Sequence, residues 1–335
     1  MKKSVAVFVC VIALSFPSFV LGQFGMGCCP AGAAGKSCVD IGDVKVVPWV
    51  GFGYQSQSLN VNFPFNGGLF RGMDVSLKNN ALWIGSLGLD VAYRQRLRFY
   101  GMADTNLFVG NAGSLTTKTD QYTGGETTPT GLNWSGSQQR WWELNLGGLY
   151  CLTDDVAILV GYKGDSFTEN LDLGRDYRWA ADDSSRDNLY SDFKVITRSP
   201  YIGVKICQSY FDFSLVWSPW LTSYDVNIPI RLVETVQLNF PPFDIIVIER
   251  DDHRWQLSGA GGQLLEAFAQ TKWNYQGQLG VNLWLKGSWL QCRGDGKIDT
   301  SRWNPGFTRW AGDGSGDAVF TRSLWALGVS GQLTF

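Results

Sequence analysis

The stretch Ser323-Leu-Trp-Ala-Leu-Gly-Val-Ser-Gly-Gln-Leu-Thr-Phe335 decides how the rest of the chain is read. Counting back from Phe335, every second residue is apolar or small: Leu333, Gly331, Val329, Leu327 and Trp325. Between them stand Thr334, Gln332, Ser330, Gly328 and Ala326. A period of two residues puts these sets on opposite faces of a strand. One face suits hydrocarbon and the other a polar interior, which is the pattern of a strand in a transmembrane β-barrel.

The opposite end of the chain agrees. Met1-Lys2-Lys3 is basic, residues 5–20 are apolar, and Phe19-Val-Leu-Gly22 supplies small residues before Gln23, so 1–22 is expected to be a secretory signal peptide. No lipid-attachment box precedes Cys28, so the start of the exported chain is expected to be free. No later stretch is uniformly apolar enough for a transmembrane helix. An exported chain of this kind can enter a membrane only as a closed barrel, because a bilayer offers no partner to an open sheet edge. The composition fits: 20 Phe, 15 Trp, 12 Tyr and 40 Gly suit strands and interfacial aromatic girdles. The net charge of -2 gives no electrostatic footprint for nucleic acid.

The fold class expected is therefore all-β: an antiparallel transmembrane barrel of about ten strands, with short periplasmic turns and long extracellular loops. Residues 23–43 form a Gly/Cys-rich periplasmic leader, and 44–335 the outer-membrane barrel. Strands are expected at 44–60, 74–92, 96–110, 139–151, 155–170, 190–207, 209–226, 257–273, 278–293 and 317–335. The connections 93–96, 152–155, 207–210 and 274–277 are short; 60–73, 111–138, 172–189, 227–256 and 294–317 are long, and the two kinds alternate.

Alternation also assigns faces. Leu97, Phe99, Gly101 and Ala103 alternate with Arg98, Tyr100, Met102 and Asp104; Trp142, Leu144 and Leu146 with Glu143, Asn145 and Gly147. Phe211, Phe213, Leu215 and Trp217 alternate with Tyr210, Asp212 and Ser214. The lumen is thus expected to be lined by Asp90, Arg98, Asp104, Glu143, Lys163, Lys205, Asp212 and Lys286. Both signs are present. Mutual pairing inside the barrel is the favoured reading, and a charged conduit the alternative. A barrel of about ten strands leaves room for water but little passage.

Several motifs resemble the omptins, outer-membrane endopeptidases built on ten-stranded barrels. The run Met73-Asp-Val-Ser-Leu-Lys-Asn-Asn-Ala-Leu-Trp-Ile-Gly-Ser-Leu-Gly-Leu-Asp90 resembles their second strand. Ser199-Pro-Tyr-Ile-Gly203, Ser218-Pro-Trp220 and Gly287-Ser-Trp289 fall in the same order as similar omptin motifs. The closing strand with its terminal Phe335 also resembles the last strand of bacterial outer-membrane barrels, which the assembly machinery reads. The omptin resemblance implies an Asp pair on one rim and an Asp–His pair opposite. Here the first site reads Asp120-Gln121-Tyr122, and the second falls on Asn227-Ile-Pro229. Neither Pro nor Tyr supplies the missing base. The single His of the chain is His253, in Asp251-Asp-His253, so a protease would need Asp120, Asp251 and His253 brought together. Omptins also hold lipopolysaccharide on the barrel wall. Tyr162 matches that cluster, whereas Gly164 and Ser166 stand where charges are expected.

One His leaves no His-cluster metal site, and the Gly-rich runs 259–262 and 312–317 precede no helix, so no cofactor and no metal is expected. The cysteines depart from barrel custom. In an oxidising compartment Cys28, Cys29, Cys38, Cys151 and Cys207 are disulfide candidates, the last two beside short turns. That composition resembles the cysteine-rich outer-membrane porins of chlamydia-like bacteria. The partners expected are outer-membrane lipids and lipopolysaccharide, with other envelope proteins through cysteines, and no nucleic acid. Three functions compete: a structural or porin-like envelope barrel, an endopeptidase with the relocated site, and an adhesin using Trp303, Phe307 and Trp310.

Overall fold

The structure is a computed structural model. It describes residues 39–41 and 44–333, with breaks at 68–69, 94–95, 109, 112–113, 124–125, 136–137, 178–186, 209, 222, 241–242, 272, 276–278 and 305–306. In the distal hairpins, at 65–73, 78–81, 110–138, 171–192, 230–251, 253 and 302–312, it describes the backbone alone. The leader to Cys38 lies outside the described residues.

In chain order the strands are β1 (Val39–Ile41), β2 (Val44–Gly67), β3 (Phe70–Tyr93), β4 (Leu97–Asn106), β5 (Gly110–Asn111) and β6 (Ser114–Thr123). Then come β7 (Glu126–Ser135), β8 (Gln138–Cys151), β9 (Val156–Tyr177), β10 (Asp187–Cys207), β11 (Phe211–Ser218) and β12 (Ser223–Phe240). The last are β13 (Phe243–Gly259), β14 (Gln263–Thr271), β15 (Trp273–Tyr275), β16 (Leu279–Asn304) and β17 (Phe307–Leu333). All pairings among the described residues are antiparallel, and β17 pairs with β2 from Val319↔Asn62 to Gly331↔Val50, which closes the sheet into a ring. Several strands are consecutive segments of one stave: β11 and β12 together, and β13 and β14 together, run the height of the wall. The ring thus has about ten staves.

Both ends of the ring's sequence lie at the end closed by short turns, since Val44 pairs with Tyr93 and Leu333 with Leu279. At that end outward residues are apolar on stave after stave: Leu87 and Leu89, Leu144 and Leu146, Ile202 and Val204, Leu283 and Leu285, Leu327 and Val329 are all exposed. Such a continuous band cannot rest in water and suits hydrocarbon.

Further from the turns the pattern inverts. On β16 the outward residues pass from Leu283 and Leu285 to Arg293, Asp295, Lys297 and Asp299, while the buried inward ones pass from Asn282 and Lys286 to Leu290, Cys292 and Ile298. On β2, Asn60 and Asn62 face out above, with Leu59, Val61 and Phe63 buried inside. The distal half is therefore a water-type barrel with an apolar interior, set on a membrane-type barrel with a polar one. A spanning strand needs about 9–11 residues; β17 has 27.

This inversion corrects the expected boundaries. The segments 60–73, 227–256 and 294–317 are not loops but paired strands, joined by hairpins at Gly67↔Phe70, Phe240↔Phe243 and Asn304↔Phe307. Their described outward residues, Asn60, Asn62, Arg254, Asp295, Lys297 and Asp299, are polar, so the lipid-facing apolar row that marks the lower strands is missing there. Tyr210 is likewise not inward; it lies in a turn and is 78% exposed. Where the inversion falls, the wall is broken at Pro219–Leu221 and again between β13 and β14. Gly261 and Gly262 have φ of 109° and 93° there, and the Gly261 N–H donates to the Leu221 carbonyl at 3.0 Å. Only glycine takes that backbone without strain, which accounts for the Gly259–Gly262 run.

The faces predict a contrast. Arg in place of outward Leu285 should cost about 2–4 kcal/mol if near the bilayer midplane. Asp299→Arg, outward on the same stave but above the belt, should stay within about 0.5 kcal/mol. Urea unfolding in lipid, followed by gel mobility, measures both.

Candidate functional site

The polar interior of the membrane half is the one cluster of charged side chains among the described residues that converges on a common point. Five staves contribute. Lys163 of β9 lies 3.0 Å from Glu143 of β8 and also hydrogen-bonds Glu266 of β14. Lys286 of β16 donates to Glu143 at 2.6 Å and stands 3.7 Å from Glu266 and 4.0 Å from Asp104 of β4. β16 and β8 are on opposite walls, so the Lys286–Glu143 bond crosses the lumen. So does Arg322 of β17, which binds Asp165 of β9, itself the acceptor for Thr197. Nearer the turns, Lys205 meets Asp212 at 3.5 Å, and Gln270 donates to Asp212 at 2.9 Å.

Glycines make room for the bracing. Tyr100 and Tyr201 share a hydrogen bond, and the Tyr201 hydroxyl donates to Asn145 at 2.5 Å. Their rings lie over Gly147 and Gly161, where a Cβ would collide with the phenol groups. Beside this network lies a cavity of about 120 Å³, lined by Trp49, Gln55, Asp90, Arg98, Asp104 and Phe268 among others. Above it, one contiguous apolar cluster joins residues of β2, β3, β8, β9, β10, β12, β13, β14, β16 and β17. Phe63 and Trp255 meet inside it at 5.2 Å between ring centres, from staves that are not neighbours.

The structure places Arg98, Asp104, Glu143, Lys163, Asp212 and Lys286 in the interior as buried groups. Asp90 and Lys205 are less fully buried and line the cavity. The sequence reading missed Glu266, Asp165 and Arg322. Two carried a signal: Glu266 follows outward Leu265, and Asp165 continues the inward row through Ala157, Leu159 and Lys163. Arg322 sits between Thr321 and Ser323, so its alternation is silent.

The protease candidates are not on adjoining staves. Asp120 lies on β6, paired with β3 and β7; Asp251 and His253 lie on β13, paired with β12 and β16. Their side chains lie outside the described residues, as do those of Trp303, Phe307 and Trp310 on the β16–β17 hairpin. Tyr162 is exposed on the lipid side, Ser166 is buried and Gly164 is half-buried. Cys28, Cys29 and Cys38 lie outside the described residues. Cys151 and Cys207 are buried at the turn end, and Cys292 is a free buried thiol in the upper core. Chemically, the interior charges are arranged to neutralise one another across the lumen. Breaking a buried pair by removing one partner costs about 3–5 kcal/mol. Lys286→Met should fall in that range by urea unfolding, and adding Glu143→Gln should recover part of the loss.

No family model and no curated protein sequence matches this chain. Among solved structures it is similar to the outer membrane protease OmpT from Escherichia coli, with TM-score 0.56 and 13% identity over 87% of this chain and 96% of that one. It also aligns with the Pseudomonas putida toluene transporter TodX at TM-score 0.33, 8% identity, over 88% of this chain and 91% of that one. The Pseudomonas aeruginosa FadL homologue aligns at TM-score 0.32, 8% identity, over 94% and 96%. With the closed ring, the short turns and the outward apolar belt, the likeness to OmpT makes the molecule an outer-membrane β-barrel whose fold resembles the omptins.

Proposed function

We propose that this barrel is a structural component of the outer membrane, closed to solutes and without endopeptidase activity. One observation carries the reading: the lumen is bridged from wall to wall by Lys286–Glu143 and Arg322–Asp165, and above them lies the apolar cluster around Phe63 and Trp255. A conduit needs a continuous wet path, and buried ion pairs under a packed apolar layer do not provide one. This favours the structural over the porin-like reading. Against proteolysis stands the loss of the omptin pairs, since Tyr122, Asn227 and Pro229 occupy their expected places. Lipids are the natural partner of the outward belt, and lipopolysaccharide that of the outer leaflet around it. Disulfides at the turn end belong to the same structural role, supported by the burial of Cys151 and Cys207 there.

The test is conductance and cleavage measured on one preparation. The refolded protein in a planar bilayer should show no stepwise conductance, and with lipopolysaccharide it should leave peptides containing paired basic residues intact. Stepwise conductance would restore the porin reading. Cleavage abolished by His253→Ala would establish the relocated site instead.

A further inference from the structure

We propose that the interior cavity of the membrane half is a binding site for a small organic cation that also carries a hydroxyl group, in its simplest form an amino alcohol. Two buried side chains that line the cavity have polar atoms with no hydrogen-bond partner among the described residues: Oδ1 of Asp104 and Nε2 of Gln55. Asp104 is 5% exposed and Gln55 1%. The other Asp104 oxygen, Oδ2, stands 4.0 Å from Lys286, which Glu143 already holds at 2.6 Å. A buried polar atom left without a partner is costly, and more so when it is charged. The free carboxylate oxygen therefore calls for a donor and the free amide N–H for an acceptor. An ammonium and a hydroxyl on one ligand supply both.

The walls favour an organic cation over water. Trp49 lies over Gly88, and Trp284 over Gly53 and Gly328, where a Cβ would collide with the rings. A ring laid flat on a glycine turns one face to the wall and the other to the lumen. These glycines thus keep the space clear and line it with π-faces. Phe268 stands beside Trp284, nearly parallel to it, with ring centres 6.3 Å apart. Aromatic faces attract cations. The charges lining the cavity point the same way: Asp90, Asp104, Asp212 and Glu266 stand against Arg98, Lys205 and Lys286, which leaves negative charge in excess.

Size and access fit. A protein cavity of about 150 Å³ takes up benzene. The cavity here, about 120 Å³, has room for an ion of a few heavy atoms. Its lining reaches Ala92 and Arg98, on either side of one short turn, and Lys205 and Asp212, on either side of another. Above it the apolar cluster fills the lumen. The ligand therefore enters from the turn end and goes no further, so the site is compatible with a barrel closed to passage.

The test is calorimetric titration of the full refolded barrel in detergent, at constant ionic strength, with 2-aminoethanol and with 1,2-ethanediol, which has the same shape without the charge. Expected is saturable binding of 2-aminoethanol, weakened about tenfold or more in ethanediol, where the charge-assisted bond to Asp104 is lost. Asp104→Asn should weaken 2-aminoethanol to a similar extent, and Asp299→Asn on the outer wall should leave it unchanged. No saturable heat from the unsubstituted barrel would mean that water alone fills the cavity and would overturn the proposal, whether or not the variant folds. Equal binding of ethanediol, or undiminished binding by an Asp104→Asn barrel of normal gel mobility, would also overturn it. So would a preference for glycerophosphoethanolamine, since that result would assign the site to a lipid headgroup. None of these outcomes depends on conductance or cleavage, so this proposal and the closed-barrel reading can fail separately.

Discussion

Everything in this molecule follows from a change of solvent part-way up a continuous sheet. A strand in a barrel presents alternate residues to two media, and here the media exchange places. Near the turns the outside meets hydrocarbon and the inside holds charge; further up the outside is polar and the inside dry. Each stave must therefore carry two opposite amphipathic patterns in one unbroken pairing register. On β17 the change takes place around Arg322, where outward Trp325, Leu327 and Val329 give way to Thr321 and Asp317.

The charge layer is the joint between the halves. Its residues could not sit outside, where lipid would penalise them, or higher up, where the interior is apolar. They are tolerable because they meet opposite charges, across the lumen in Lys286–Glu143 and Arg322–Asp165 and on the adjoining stave in Lys163–Glu143 and Lys205–Asp212. Buried pairs of this kind add little net stability over a good apolar core. Their value is specificity, since a stave shifted by one residue would move its charge to the lipid face and leave its partner alone.

The lower half was legible in the sequence because lipid leaves a strong mark: Leu144 and Leu146 outward against Glu143 inward admit one assignment. The upper half reads as loops in the sequence. There the outward residues include Asn62, Asn227, Asp295 and Lys297, and a polar segment next to a belt looks like a connection. The alternation was still present in Val61 and Phe63, and in Val226 and Ile228, but with the faces exchanged. The cross-lumen partners were legible as inward residues and not as pairs, because nothing in the spacing of Glu143 and Lys286 says that their staves stand opposite. The sequence pattern puts the distal Asp120 and His253 on loops, whereas strands carry them.

The inversion also has a consequence for how such a protein reaches its place. An immersed barrel of one polarity could settle at a range of heights, since sliding it a few ångströms exchanges like for like. Here sliding upward would draw Leu283 and Leu285 out of hydrocarbon, and sliding downward would push Arg293 and Asp295 into it. The sheet is its own depth gauge. The same feature makes delivery demanding: the hairpins beyond Asp295 must traverse the bilayer before they can rest outside it. During that passage their charged rows need shelter that the finished wall no longer offers.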